Sequence, residues 1–161
     1  MGATRRIFDV DETTPVSGTN FIAQLLYQDN TGAWVTHPIA AHFFDSSVSI
    51  FAGYWNSGNR TLVNAGGWFD PNDPTRALPV NMQVRVWDRG TGANSLTFDE
   101  AMAAGMKWGT STVFVYREEL DLGTDAKFMK NFQGFNLVPE PSAWALFAFG
   151  AGWLVWRRRK C

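Results

Sequence analysis

The chain has 161 residues, of which 45% are hydrophobic and 18% are charged, so it fits a single globular domain with a sizeable core. Its formal net charge of −1 at pH 7 argues against a nucleic-acid binder held by a basic surface. Of the 14 basic and 15 acidic residues, four cations and one carboxylate lie after residue 138, which leaves 10 and 14 in a mildly acidic body. The single cysteine, Cys161, excludes an intramolecular disulfide and a cysteine-based metal cluster.

The body, residues 1–136, is predicted to be mainly β-structure, because its apolar residues repeat with period two between turn signals. Phe21 to Tyr27 and Val48 to Tyr54 alternate in this way. The clearest strand is Val80 to Asp88, where apolar residues at 80, 82, 84 and 86 alternate with polar ones. Weaker candidates are residues 33–36, 60–64, 112–117 and 132–138. Many short strands separated by Gly, Asn and Asp-Pro turns predict an antiparallel β-sandwich.

One short helix is predicted over residues 98–104. Thr97 and Glu100 have the spacing of a capping box, in which each side chain accepts a hydrogen bond from the other residue's backbone, and Gly105 is suited to end the helix. The predicted fold class is therefore all-β in the main, an antiparallel β-sandwich with one short helix. A separate C-terminal segment follows at residues 137–161.

The body offers few groups suited to catalysis or metal binding. His37 and His42 could share a metal ion, although hydrogen-bonded or solvated loop histidines are the favoured interpretation. Asp70 and Asp73 could bind Ca²⁺ but also fit plain Asp-Pro turns, and the acidic run at 118–121 is either a general acid–base pair or a solvated loop. A nucleophile elbow and a phosphate-binding loop are absent from the sequence. We therefore expect neither an enzyme nor a cofactor nor a metal site.

The tryptophans suggest an alternative function for the body. Trp87 falls on the polar face of its strand, the same face as Arg85. Trp55 lies between Tyr54 and Asn56. Exposed indoles next to such hydrogen-bonding groups bind sugar rings by stacking. Trp55, Trp87 and Arg85 are thus candidate glycan contacts, unless the indoles fill a core.

The end of the chain combines a Pro-Glu-Pro tripeptide, an apolar run and a basic cluster. The tripeptide is Pro139, Glu140 and Pro141, the apolar run without a charge is 143–156, and the basic cluster is Arg157, Arg158, Arg159 and Lys160. A helix over 141–156 would be roughly 24 Å long against a hydrocarbon core of about 30 Å, a short membrane span that snorkelling arginines could complete. The basic cluster is expected to stay cytoplasmic, which puts the body outside. The alternative is a helix buried in a soluble core.

Side chains within the apolar run fit a membrane anchor. Trp144 near one end and Trp156 near the other are placed for the two interfaces of a bilayer. Gly150 and Gly152 narrow one side of the helix, which either permits close packing against another membrane helix or is simply tolerated there.

The tripeptide, the short hydrophobic helix and the arginine run at the chain end together resemble the PEP-CTERM sorting signal. The resemblance covers about 24 of the 161 residues. It implies that Pro139, Glu140 and Pro141 are recognised by exosortase, an integral membrane, transpeptidase-like cysteine protease, with processing nearby. It also implies a Gram-negative bacterium that makes extracellular polysaccharide. Cys161, after the basic cluster, departs from the pattern.

These features predict an exported surface or extracellular-matrix protein, held in the inner membrane as a precursor and then delivered to the cell surface or beyond. Its expected partners are exosortase, the membrane and exopolysaccharide, but not nucleic acid. The alternative is a carbohydrate-binding module that acts in extracellular polysaccharide. Since residues 7–12 are not a hydrophobic signal-peptide segment, we expect either that the start codon is misassigned or that the true N-terminus has been lost.

Overall fold

A computed structural model describes residues 5–45, 51–55, 62–63, 79–91, 95–116 and 131–138. These residues form an antiparallel β-sheet and one short helix. The elements in chain order are β1 (Phe21–Gln28), β2 (Trp34–Thr36), β3 (Ala41–His42), β4 (Val80–Asp88), α1 (Phe98–Ala103), β5 (Trp108–Thr110) and β6 (Phe114–Tyr116).

Two long strands, β1 and β4, make up the centre of the sheet. They pair antiparallel over seven residues, from Phe21 opposite Asp88 to Tyr27 opposite Met82. The outer edge of β1 pairs with β2 and β3, and the outer edge of β4 pairs with β5 and β6. The sheet is therefore four strands wide, with two short strands in line along each edge.

The two faces of the sheet pack into separate apolar clusters because side chains alternate along each strand. In β4, Met82, Val84 and Val86 point to the larger cluster, called the main core here, and Trp87 points to the other face. The buried members of the main core are Ile7, Val16, Ala23, Leu25, Tyr27, Phe43, Leu62, Met82, Val84, Val86, Phe114, Phe132 and Leu137. The smaller cluster, called the helix-side core, has the buried members Ile22, Trp87, Phe98 and Ala101.

A buried serine joins β5 to β6 where the register changes. Arg85 is opposite Thr110 and Met82 is opposite Phe114, so the outer chain carries one residue more than β4 between these pairs, as in a β-bulge. Ser111 repairs the ladder there: its hydroxyl accepts from the Val84 N–H at 2.9 Å, and its own N–H donates to the Val84 carbonyl at 2.9 Å.

The helix prediction is confirmed, including its capping box. The Thr97 hydroxyl accepts from the Glu100 N–H, and the Glu100 carboxylate accepts from the Thr97 N–H at 2.8 Å. The Thr97 hydroxyl also donates to the Glu100 carboxylate at 2.9 Å, and the backbone and hydroxyl bonds from Thr97 lower the pKa of Glu100. Gly105 follows with φ of +74°, a left-handed conformation that suits glycine at a helix end.

The strand predictions meet with mixed results. The strands predicted from Phe21 and over Val80 to Asp88 are confirmed, whereas the short strands β3 and β5 were not predicted. The strand predicted over Val48 to Tyr54 is wrong in its described part, because residues 51–53 form a turn that the Tyr54 N–H closes onto the Phe51 carbonyl. All the described strands belong to one antiparallel sheet, so the second sheet of a sandwich remains a prediction.

The predicted membrane helix over 141–156 lies outside the described residues. Among the helices of the described ranges, none has the length and apolarity needed to cross a membrane.

Candidate functional site

The described chain ends where the predicted tail begins, and this end is built into the body. The Phe8 N–H donates to the Phe135 carbonyl at 3.1 Å, and the Leu137 N–H donates to the Phe8 carbonyl at 2.9 Å. On the opposite edge, the Val138 N–H donates to the Trp108 carbonyl at 2.7 Å. Residues 135–138, called the junction segment here, therefore lie between the N-terminal segment around Phe8 and β5, with backbone hydrogen bonds to both.

Side-chain packing also holds the junction segment. Leu137 is 3% exposed in the main core, whereas its neighbour Val138 is 40% exposed. Gly109 of β5 faces the segment, and a Cβ there would lie 2.8 Å from Phe135 Cε2 and 3.2 Å from the Asn136 carbonyl. Only glycine leaves room for this approach without a shift of the segment.

An ion pair links the two segments of the protein that flank the junction segment. Phe8 and Trp108 supply the flanking hydrogen bonds, and their neighbours Asp9 and Lys107 pair at 2.7 Å between Oδ2 and Nζ. The side chains are 23% and 34% exposed, so the pair is partly shielded from water. It links the residues adjacent to Phe8 and Trp108, although a pair at this exposure adds modestly to stability.

The N-terminal side of the slot is a hairpin with a polar turn. The Val16 N–H donates to the Ile7 carbonyl at 3.0 Å, and Ile7 is fully buried in the main core. At the tip, Asp11 accepts from the Thr14 hydroxyl and from the backbone N–H groups of Thr14 and Thr13. These bonds lower the pKa of Asp11 to about 2. The turn thus fixes the path of the hairpin, and Phe8 of this hairpin makes the backbone hydrogen bonds to the junction segment.

The structure places Trp87 in a core, which the sequence left open as the alternative to an exposed glycan contact. Trp87 is 4% exposed in the helix-side core, where its Nε1 donates to the Leu96 carbonyl at 2.8 Å. Its ring meets Phe98 edge-on at 5.7 Å between centroids. Helix α1 therefore covers the face that the alternation of β4 assigned to solvent, because the helix brings an apolar side that needs burial.

The other two candidate glycan contacts are also engaged within the body. Trp55 is half-buried against the main core, with ring centroids 5.9 Å from Phe43 and 5.3 Å from Phe132. The Arg85 guanidinium lies 4.9 Å from the Phe98 ring centroid, a cation–π distance. Trp55 packs on the main-core side of the sheet and Trp87 on the helix side, so the two indoles do not form one surface.

The two histidines occupy different settings. His37 is buried between β2 and β3, and its Nδ1 accepts from the Ile39 N–H at 3.1 Å. His42 is exposed in β3, opposite Ile22. Over the described ranges, no group of three His, Cys, Asp or Glu side chains converges in a way that could hold a metal ion. Asp70, Asp73 and the acidic run at 118–121 lie outside those ranges.

The tail residues predicted to act in sorting and anchoring also lie outside the described part of the chain. They are the sorting residues Pro139, Glu140 and Pro141, the anchor residues Trp144, Gly150, Gly152 and Trp156, and the basic residues Arg157, Arg158, Arg159 and Lys160. The division of the chain after residue 136 stays a prediction. Leu137 and Val138, which that division gives to the tail, contact the body.

Sequence reasoning did not find the junction segment as a site. Residues 132–138 were predicted only as a weak strand, and Phe8 was considered only for the absence of a signal peptide. One signal was available: Gly109 between Trp108 and Thr110 is the pattern of a strand glycine that admits a close backbone neighbour. The sequence does not say which neighbour that is.

The comparison with known proteins concerns the same end of the chain. The model of the PEP-CTERM protein-sorting motif matches residues 137–160, from Leu137 of the junction segment to Lys160 of the basic cluster. No curated protein and no solved structure is significantly similar to the chain. The match confirms the resemblance drawn from the tripeptide, the apolar run and the arginines. The chain is therefore a PEP-CTERM sorting-signal protein, and its signal marks it as an exported protein targeted to exosortase.

Proposed function

We propose that this chain is a cell-surface or extracellular-matrix protein without enzymatic activity of its own. In this proposal the apolar run holds the precursor in the inner membrane, and exosortase removes the tail near Pro139, Glu140 and Pro141. One observation carries the proposal, the match of the sorting-motif model to residues 137–160. The order of features supports it, because the basic cluster after a short apolar span retains that end in the cytoplasm and leaves the body outside.

The described polar groups of the body support a structural role. Asp9 pairs with Lys107, Asp11 closes the hairpin turn, and Glu100 caps α1. Each of these carboxylates is bound to a local backbone or cationic partner rather than turned toward a second carboxylate across a cleft. General acid–base chemistry needs titratable groups that converge on a substrate.

The alternative, a carbohydrate-binding module, rested on one face that carries Trp55 and Trp87. Trp87 is buried beneath α1 and Trp55 packs on the other side of the sheet, so that basis is lost. Exopolysaccharide therefore enters the proposal only as the expected surroundings of the released protein.

The test is peptide mapping of the protein from an exosortase-bearing host, with membrane and extracellular fractions analysed separately. We expect peptides of 143–156 in a membrane precursor and their absence from extracellular material. Replacement of Pro139, Glu140 and Pro141 by alanine should leave the full-length chain in the membrane fraction.

The matched control is Pro79→Ala, which replaces an exposed proline outside the motif and should be processed like the wild type. Full-length chain in the extracellular fraction, or normal processing of the alanine-substituted motif, would overturn the proposal.

A further inference from the structure

The sorting motif begins inside the folded body rather than after a linker. The matched stretch starts at residue 137, but Leu137 is 3% exposed in the main core. Val138 donates its N–H to Trp108, and Pro139 is the next residue along the chain. The body and the Pro-Glu-Pro tripeptide therefore adjoin without a spacer.

The backbone of the junction segment is committed on both edges. Phe8 bonds to the Phe135 carbonyl and the Leu137 N–H on one side, and Trp108 bonds to the Val138 N–H on the other. Enzymes that bind an extended peptide do so through its free main-chain groups. Each edge of the junction segment already makes backbone hydrogen bonds to the body, so neither edge is open along its whole length to that contact as long as the segment stays in its slot.

Opening the slot would disturb several contacts at once. The segment would have to leave the slot between Phe8 and Trp108, expose Leu137, and withdraw Phe135 from its contact with Gly109. The Asp9–Lys107 pair holds the two flanking chains together at 2.7 Å. Local opening of a segment that has a buried side chain and backbone hydrogen bonds on both edges is rarer than motion of an unbonded one.

We infer that the folded body sets the N-terminal limit of processing: the junction segment shields its own peptide bonds, and the tail is removed only at bonds that follow Val138. This inference rests on the proposed function for the identity of the enzyme. In the cleavage step a peptide bond after Val138 breaks, and its acyl carbon passes to water or to an acceptor amine. The departing tail keeps the nitrogen as a new amino terminus. Leu137 and Val138 remain in the mature protein.

The first experiment tests the shield without exosortase. The full-length chain, purified in detergent, is treated with a low concentration of a protease of broad specificity. The mass of the resistant fragment, measured by mass spectrometry, gives its C-terminal residue. We expect the fragment to end at Val138 or shortly after it. Gly109→Val, whose side chain would displace Phe135, should shift the end to before residue 135.

Two further variants serve as a control and as a substitute for Gly109→Val. Thr110→Val changes the neighbouring, exposed residue of β5 and should leave the end at the wild-type position. If Gly109→Val fails to fold, insertion of Gly-Ser-Gly-Ser after Val138 serves instead, and the resistant fragment should then end at Val138 or inside the insert. A wild-type fragment that ends before residue 135 would overturn the inference.

The second experiment maps the C-terminus of the mature protein from the host. A mature C-terminus at Val138 or later is expected, and one before Val138 would refute the inference while the proposed function stands. If the tail persists in the mature protein, the proposed function fails instead, and the limited proteolysis still decides whether the body shields the junction segment.

Discussion

The contrast between Leu137→Ala and Val138→Ala measures how firmly the body holds the start of the sorting motif. Leu137 is 3% exposed in the main core, and its truncation removes three carbon atoms. At about 0.8 kcal/mol per buried methylene the transfer loss is roughly 2.4 kcal/mol, and the cavity left behind raises it to about 3–5 kcal/mol. Val138 is 40% exposed and loses two carbon atoms, so the same reasoning gives about 1 kcal/mol or less.

Urea denaturation of the full-length chain in detergent, followed by circular dichroism, gives the free energy of unfolding. With a slope of about 1–3 kcal/mol per molar urea, Leu137→Ala should lower the midpoint by at least about 1 M, and Val138→Ala should lower it much less. Amide hydrogen exchange at Val138 should also become faster in Leu137→Ala, because its bond to Trp108 depends on the same segment. Equal midpoints for the two variants would refute the assignment of Leu137 to the core.

Three further substitutions test the body. Ser111→Ala removes the acceptor of the buried Val84 N–H and should lower the free energy of unfolding by about 1–3 kcal/mol. Thr112→Ala, at the exposed neighbour, should change it by about 0.5 kcal/mol or less. Similar losses in urea titrations of the two variants would contradict the role of the Ser111 hydroxyl. Thr97→Ala should cost about 0.5–2 kcal/mol through loss of the capping box, measured by thermal denaturation, and an unchanged midpoint would argue against the cap. The pKa of Asp11 is lowered from 3.8 to about 2 in the folded protein, so its contribution to stability is complete above pH 3.8 and is lost as the pH falls through about 2. Asp11→Asn should therefore flatten the pH dependence of the free energy of unfolding over that interval. An NMR titration that gives Asp11 its ordinary pKa would contradict this.

Local sequence was sufficient where local physical chemistry decides the structure. Strand β4 follows from strict alternation, and α1 follows from the Thr97 and Glu100 capping box, because both signals act within a few residues. The tail is the same case: the tripeptide, the apolar run and the arginines are adjacent in sequence, so the family of the signal was accessible without any fold.

The sequence alone could not decide the environment of residues that pack against distant parts of the chain. Alternation gives the two faces of β4 but does not say that α1 covers the second face, so the sequence left Trp87 open as either an exposed glycan contact or a core residue, and the structure buries it. Strands as short as β3 and β5 carry too few residues for a periodic signal, and they form because β1 and β4 offer free edges. Tertiary structure decides such elements, since their hydrogen-bond partners lie far away in sequence.

The junction segment shows most clearly what the sequence determines and what the tertiary structure decides. Sequence by itself determined that a sorting signal of the PEP-CTERM type begins near residue 137 and that the protein is targeted for export. Only the tertiary structure decided that the first two residues of the match belong to the body. Their partners, Phe8 and Trp108, are separated from them by about 130 and 30 residues of chain, and no local pattern encodes a hydrogen bond over such a separation.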